Sequence, residues 1–305
     1  MSKYAGLSKL NLKYGWQHGW LPSYVKVNPF SVAGFSFNQE KAKKSTFCVA
    51  LKCQQKYLET YDLRSIAIGH PIVYFDLTIP TKLERKKNTI LIVPAHGFTN
   101  EDSDGFYDFN CINEIIEKYS NGNSIYVLAH QHDYRIGRYK EYEGIVDIIK
   151  GSLMEDSNTY IRMKYIFSQF EYVCFGSFTS AIIYASLFGC KSFLAENYFL
   201  PSISSLLKYQ SHAYCGSRKM VTELNFCFSR QEVLNRYSFV GNSIESARCD
   251  LECAEYELGF NNKLTKQQAN DLIIESQNVD SKVPFIKRKT NSLFRKLGWS
   301  LPFTE

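Results

Sequence analysis

The stretch from residue 172 to residue 195 constrains the fold most, because it predicts a strand, a tight turn, a helix and a second strand in succession. Residues 172–175 are apolar and rich in β-forming types, and Gly176 interrupts them. Apolar residues then continue to Gly189, a common helix stop, and residues 192–195 begin another strand. Three hydroxyl side chains stand where the helix would be capped: Ser177, Thr179 and Ser180.

This hydroxyl cluster predicts a ligand site if the two strands are neighbours in an open parallel sheet. Ligands bind outside the carboxyl ends of the strands in such sheets. A helix amino terminus adds free N–H groups and a partial positive charge, which suit a phosphate. The pattern therefore favours a nucleotide-linked substrate at this turn. The alternative is that the hydroxyl groups cap the helix and bind nothing else.

Strand-like and helical stretches alternate along most of the chain, which predicts an α/β fold with parallel, doubly wound sheets. Further strands are predicted at 45–50, 66–74, 88–94, 124–129 and 144–149, the second of them broken by Gly69-His70-Pro71, and helices at 52–60 and 109–119. The polar residues 77–87 form the best linker. We expect an N-terminal domain over residues 1–85, a C-terminal domain over 86–270 and a tail over 271–305. The first domain is short, since doubly wound domains usually take about 100–150 residues, so either it is reduced or the chain lacks an amino-terminal part found in relatives.

The positive charge of the chain is concentrated in the tail. Residues 281–305 contain six basic residues and one acidic residue, so the rest carries only about +1 of the net charge of +6. A near-neutral body argues against a nucleic-acid-binding surface. Apolar residues interleave with these basic residues, which suits binding to an anionic membrane surface. The alternative is that the tail packs back onto the first domain.

Cysteine usage and hydropathy favour a cytoplasmic protein, peripheral to the membrane if the tail binds lipid. The nine cysteines lie mostly in apolar runs and lack metal-ligand spacing, as expected of reduced, buried thiols. No apolar run reaches the length of a membrane span.

Five of the six histidines follow strand-like runs or lie in glycine-marked turns: His18, His70, His96, His130 and His132. Loops at strand ends often carry the chemistry of such folds. Gly15 and Gly19 flank His18, so its imidazole is a candidate base; the alternative is a histidine packed in an aromatic cluster. Because the histidines lack H-x-x-x-H spacing, the sequence predicts no metal site.

Several motifs occur in a telling order: Gln17-His18-Gly19, Gly69-His70-Pro71, Pro94-Ala95-His96-Gly97, a strand ending at His130, the hydroxyl-capped helix 177–189 and a closing helix over 243–259. This order resembles that of the GT-B glycosyltransferases of bacterial capsule and lipopolysaccharide synthesis, related to polysialyl-, Kdo- and polyol-phosphate transferases. The sialic-acid-type members tend to have His-Pro where this chain has His130-Gln131-His132, so the donor class stays open.

The resemblance implies a GT-B-like fold of two Rossmann-type domains. It also implies transfer of a sugar from a nucleotide-activated donor to a surface polysaccharide or lipid-linked glycan, with no cofactor beyond the donor. His18 would be the base. Donor binding would fall to His96, Gly97, His130, Ser177, Thr179 and Ser180. The cleft or acceptor side would include Gln17, Gly19 and His70.

Two other functions remain open at this stage. A nucleotide-sugar 2-epimerase would use the same architecture, but we expect it to carry a pair of carboxylates in the cleft. The sequence offers no convincing pair, and the acidic loop 101–105 is expected to be solvated. A non-catalytic GT-B partner subunit would agree with the reduced first domain.

Overall fold

The computed structural model describes residues 1–7, 12, 14–16, 19–27, 45–79, 83–96, 107–151, 158–209 and 217–277. These residues form two β-sheets, of three and six strands, with helices between the strands, as the alternating pattern predicts. The strands are Gly15–Trp16 (β1), Thr46–Val49 (β2), Arg64–Ala67 (β3), Lys86–Val93 (β4), Ser124–Ala129 (β5), Asp147–Lys150 (β6), Phe170–Ser177 (β7), Lys191–Phe199 (β8) and Val240–Gly241 (β9).

The six-stranded sheet is parallel throughout and has the order β6-β5-β4-β7-β8-β9. β4 is the first strand of this sheet along the chain; β5 and β6 lie on one side of it, and β7, β8 and β9 lie on the other. This is the strand order of a Rossmann fold. The central strand is apolar and buried from Ile90 onward, as expected for a strand covered on both faces. The order places a topological switch point between β4 and β7.

The three-stranded sheet is also parallel, with the order β1-β2-β3. The strand predicted over 66–74 breaks at Gly69-His70-Pro71 as expected: β3 ends at Ala67, and a short 3-10 helix, Pro71–Tyr74, replaces the part after the break. Gly69 has a φ of +82°, and Pro71 donates no backbone hydrogen bond, so the chain turns out of the sheet between them.

The helices are Lys52–Glu59 (α1), Asn110–Tyr119 (α2), Gln131–Arg135 (α3), Thr159–Phe167 (α4), Ala181–Leu187 (α5), Ile203–Tyr209 (α6), Arg218–Cys227 (α7), Arg230–Arg236 (α8), Leu251–Glu257 (α9) and Lys266–Gln277 (α10). Helices α1 and α2 confirm the predictions for 52–60 and 109–119 within a residue. No helix among the described residues is both long and apolar enough to cross a bilayer.

The carboxyl-terminal part of the described chain returns to the three-stranded sheet. Two buried residues of α10 make these contacts: Leu272 packs with Cys48 of β2 and with Ile68, which follows β3, and Ile273 packs with Ala5. A Cβ at Gly259 would lie 2.1 Å from the Ala50 carbonyl oxygen, so only glycine allows this crossing. The segment predicted as one C-terminal domain, 86–270, therefore includes residues that pack on the first sheet, and the predicted tail begins inside α10.

Candidate functional site

The candidate site lies at the carboxyl edge of the six-stranded sheet. β4 ends at Val93, β5 at Ala129 and β7 at Ser177, and these three strands are neighbours. The edge therefore holds the segments that follow each strand: 94–96, 130–133 and 178–180. Parallel sheets of this order bind ligands at the switch point between β4 and β7.

Gly176 fixes how closely the segments after β4 and β7 approach. A Cβ at this position would lie 2.5 Å from the Cys111 sulfur and 3.2 Å from Pro94 Cα. Glycine is required here because the strand end packs against the first turn of α2 and against Pro94. The residue predicted to break the strand instead lies within β7.

The helix predicted over 177–189 begins later than expected, because α5 starts at Ala181. Ser180 already has helical dihedral angles, and its side chain does not cap the helix. Its Oγ instead accepts a hydrogen bond from the backbone N–H of Trp20 at 2.9 Å. Thr179 Oγ1 accepts one from the Ala181 N–H at 3.3 Å. Ser177 is therefore the last residue of β7, and Thr179 and Ser180 lie in the turn before the helix, all three half-buried at the sheet edge.

The segment after the Gln-His-Gly motif packs directly on this turn. Gly19 has a φ of +74°, and a Cβ there would lie 3.1 Å from Ser180 Oγ. The Trp20 ring stacks on Phe178 with 5.5 Å between centroids, and Phe178 stacks on Phe228 at 4.2 Å. The structure thus brings together two predicted site residues, Gly19 and Ser180, that are far apart in sequence.

Glu257 anchors the same segment, and sequence analysis missed it. This carboxylate is 3% exposed. It accepts hydrogen bonds from Trp20 Nε1 at 3.1 Å, from the Ser23 N–H at 2.9 Å and from Ser23 Oγ at 2.6 Å. The predicted closing helix over 243–259 is present only as α9, Leu251–Glu257, and Glu257 is its last residue.

His70 is buried instead of lining an open cleft, being 1% exposed. Its Nδ1 accepts from the Ile72 N–H at 3.3 Å, and its Nε2 lies 3.2 Å from the Tyr184 hydroxyl. Because Nδ1 accepts, the neutral ring carries its proton on Nε2 and donates it to Tyr184. His70 therefore links the 3-10 helix to α5.

His96 and His130 meet at the edge, although they are 34 positions apart in sequence. Their rings stack with centroids 4.3 Å apart and planes 12° apart. The Nδ1 atom of His130 is buried and has no hydrogen-bond partner among the described residues. Burial, with smaller contributions from His96 and His132, lowers the pKa of His130 to about 3. The ring is therefore neutral at physiological pH.

Asp133 joins this histidine pair, and the sequence analysis missed it too. Possible ligand atoms of His96, His130 and Asp133 all lie within 4.8 Å of one another. Asp133 is buried, and its Oδ1 accepts from Arg138 Nη1 at 2.6 Å. The histidines lack metal-ligand spacing along the chain, but β4 and β5 are neighbouring strands, and their ends bring these donors together. The spacing of His130 and Asp133, three positions apart, is the signal that could have found the pair.

Three predicted site residues, Gln17, His18 and Gly97, lie outside the described residues, as do the acidic loop 101–105 and the tail from residue 278 onward. Their roles stay predictions. No family model, curated protein or solved structure matches the chain.

Proposed function

We propose that the protein is a GT-B-like glycosyltransferase, which moves a sugar from a nucleotide-activated donor to a surface polysaccharide or lipid-linked glycan. One observation carries the proposal: the Gly19–Trp20 backbone packs on the Ser180 turn at the switch point of a Rossmann-ordered sheet. A donor bound at that edge would lie next to the segment that contains His18.

The donor side of the site consists of polar groups from three neighbouring strand ends. A hydroxyl that accepts one hydrogen bond also has a proton to donate, so Ser177, Thr179 and Ser180 can bind phosphate oxygens. His96 and His130 face the same edge from β4 and β5. Such donors would stabilise the charge that develops on the leaving phosphate.

On the acceptor side, His18 would act as the base. Its imidazole would take the proton of the acceptor hydroxyl while that oxygen bonds to the anomeric carbon. The bond from the anomeric carbon to the donor phosphate would break, and its electron pair would remain on the leaving phosphate. Gln17, the preceding residue, would help to position the acceptor.

The test is incubation with CMP-, UDP-, GDP- and CDP-linked sugars, with and without acceptor glycans. We expect one donor to release free nucleotide only when an acceptor is present, and His18→Ala to lower that turnover by about 10²- to 10⁴-fold. Formation of an isomerised sugar nucleotide would instead identify an epimerase. If none of the nucleotides raises the melting temperature, the proposal is contradicted and a non-catalytic partner subunit is favoured.

A further inference from the structure

The cluster of His96, His130 and Asp133 has the chemistry of a transition-metal site. Two imidazoles and one carboxylate are ligands that Zn²⁺, Co²⁺ and related ions accept, whereas Mg²⁺ and Ca²⁺ prefer oxygen ligands alone. The side chains come from the segments that follow two adjacent strands, so the sheet holds them at one place. We propose that they bind a divalent transition-metal ion of the zinc type.

The separations are close to what coordination requires. Ligand atoms about 2.0–2.2 Å from a tetrahedral zinc ion stand roughly 3.4 Å apart, and the three groups here lie within 4.8 Å of one another. The imidazole planes are stacked, so one ring must rotate for both nitrogens to point at one ion. His96 is the exposed member of the cluster, whereas His130 is half-buried and Asp133 is buried.

Two features of the surroundings favour the site. The hydrogen bond from Arg138 orients the Asp133 carboxylate, and metal-binding carboxylates are commonly held by such partners. The Arg138 guanidinium carbon itself lies 3.9 Å from the centroid of the Tyr107 ring, which fixes its position. The buried Nδ1 of His130 has no hydrogen-bond partner among the described residues. Coordination of the ion, directly or after a shift of the ring toward it, would offset the cost of burying this polar atom.

Three protein ligands leave a fourth position open to water or a substrate oxygen. That position would face the carboxyl edge of the sheet. Where the proposed function holds, the ion would contact a donor phosphate oxygen, and His96 and His130 would act on the donor through it. Metal binding itself does not depend on the proposed transfer.

Titration of the chelator-treated protein with Co²⁺ tests the inference, because a tetrahedral site gives strong visible absorption. We expect one equivalent to bind without the near-ultraviolet absorption of a thiolate ligand. His96→Ala and His130→Ala should each weaken binding more than about tenfold. The matched control is His132→Ala, which changes a histidine between two of the ligands and should leave binding unchanged.

Melting temperatures of the variants separate loss of a ligand from loss of the fold. His96 is exposed, so its replacement should lower the melting temperature less than replacement of the half-buried His130 does. The inference is overturned if the wild type binds no stoichiometric Co²⁺, or if His96→Ala binds it as tightly as the wild type. Nucleotide binding by the metal-free protein, with no Co²⁺ binding, would leave the proposed function standing and refute the metal site alone.

Discussion

At the scale of single residues, Gly19 shows why the two motifs of the site depend on each other. Its backbone is left-handed, and its missing side chain lets the chain approach the hydroxyl that binds Trp20. The sequence predicts Gly19 only as a glycine beside His18 that lines the cleft, and that role stays a prediction. It does not indicate the contact with Ser180, because Ser180 is distant in sequence and the contact depends on how the chain folds.

Gly19→Ala should lower the free energy of unfolding by more than the control Gly144→Ala. Both glycines have positive φ, which costs an alanine about 1–2 kcal/mol, but Gly144 has no atom within 4 Å of its missing Cβ. In a Ser180→Ala background, Gly19→Ala should lower the free energy of unfolding no more than Gly144→Ala does, because the Ser180 hydroxyl near the added Cβ is then absent. Urea denaturation measures all three variants. Equal losses at the two glycines would show that Gly19 does not pack on Ser180.

The lowered pKa of His130 gives a second prediction at this scale, for the metal-free protein. Between the ordinary value of 6.5 and about 3, the unfolded chain binds a proton that the folded chain does not. The free energy of unfolding therefore falls as the pH decreases through this window. His130→Gln should show a shallower decrease than the wild type. An unchanged slope in His130→Gln would show that this ring ionises freely.

At the scale of elements, α9 holds the segment after β1 through a single buried carboxylate. Glu257→Ala would leave three donors, on Trp20 and Ser23, without their acceptor. We expect a loss on the order of 3 kcal/mol in the free energy of unfolding, and a smaller loss in Glu257→Gln. The control is Glu255→Ala, an exposed position on the same helix. Equal stability of the Glu257 and Glu255 variants would contradict this role.

Local sequence patterns predicted that a helix or strand is present more reliably than they predicted where it begins and ends. The strand over 124–129 and the helix over 109–119 are confirmed, because their apolar periodicity is a local property. The predicted start of α5 was wrong, because the Ser180 hydroxyl accepts a hydrogen bond from the Trp20 N–H instead of capping its own helix. Tertiary contacts of this kind also explain why Asp133 and Glu257 were missed. Each matters through partners that only the folded chain brings near.

At the scale of the whole molecule, the strand order determines where the site lies, and the sequence pattern could not predict that order. Alternating strands and helices predict parallel sheets, but several orders satisfy that pattern. The return of the chain through Gly259 to the three-stranded sheet was equally unpredictable, because it depends on a backbone contact with Ala50. These two features bring the N-terminal segment to the carboxyl edge of the larger sheet.

The basic tail gives a prediction at the same scale, made from the sequence. In flotation with liposomes that contain anionic lipid, the full chain should rise with the vesicles, and a chain ending at Asp280 should not. Each basic residue near such a surface contributes about 1 kcal/mol, so the effect should weaken with added salt. Equal recovery of both proteins would show that the tail is not the membrane-binding segment.

The proposed function requires a nucleotide-linked donor to bind at the carboxyl edge of the larger sheet, at the switch point between β4 and β7. Isothermal titration of the best nucleotide sugar against Ser177→Ala and Thr179→Ala tests it most directly. The control is Ser168→Ala, which lies before the amino end of β7, at the opposite edge. Each lost hydrogen bond to a charged phosphate should raise Kd by about 10- to 150-fold, and Ser168→Ala should leave Kd unchanged. Wild-type Kd values in both edge variants would contradict the account.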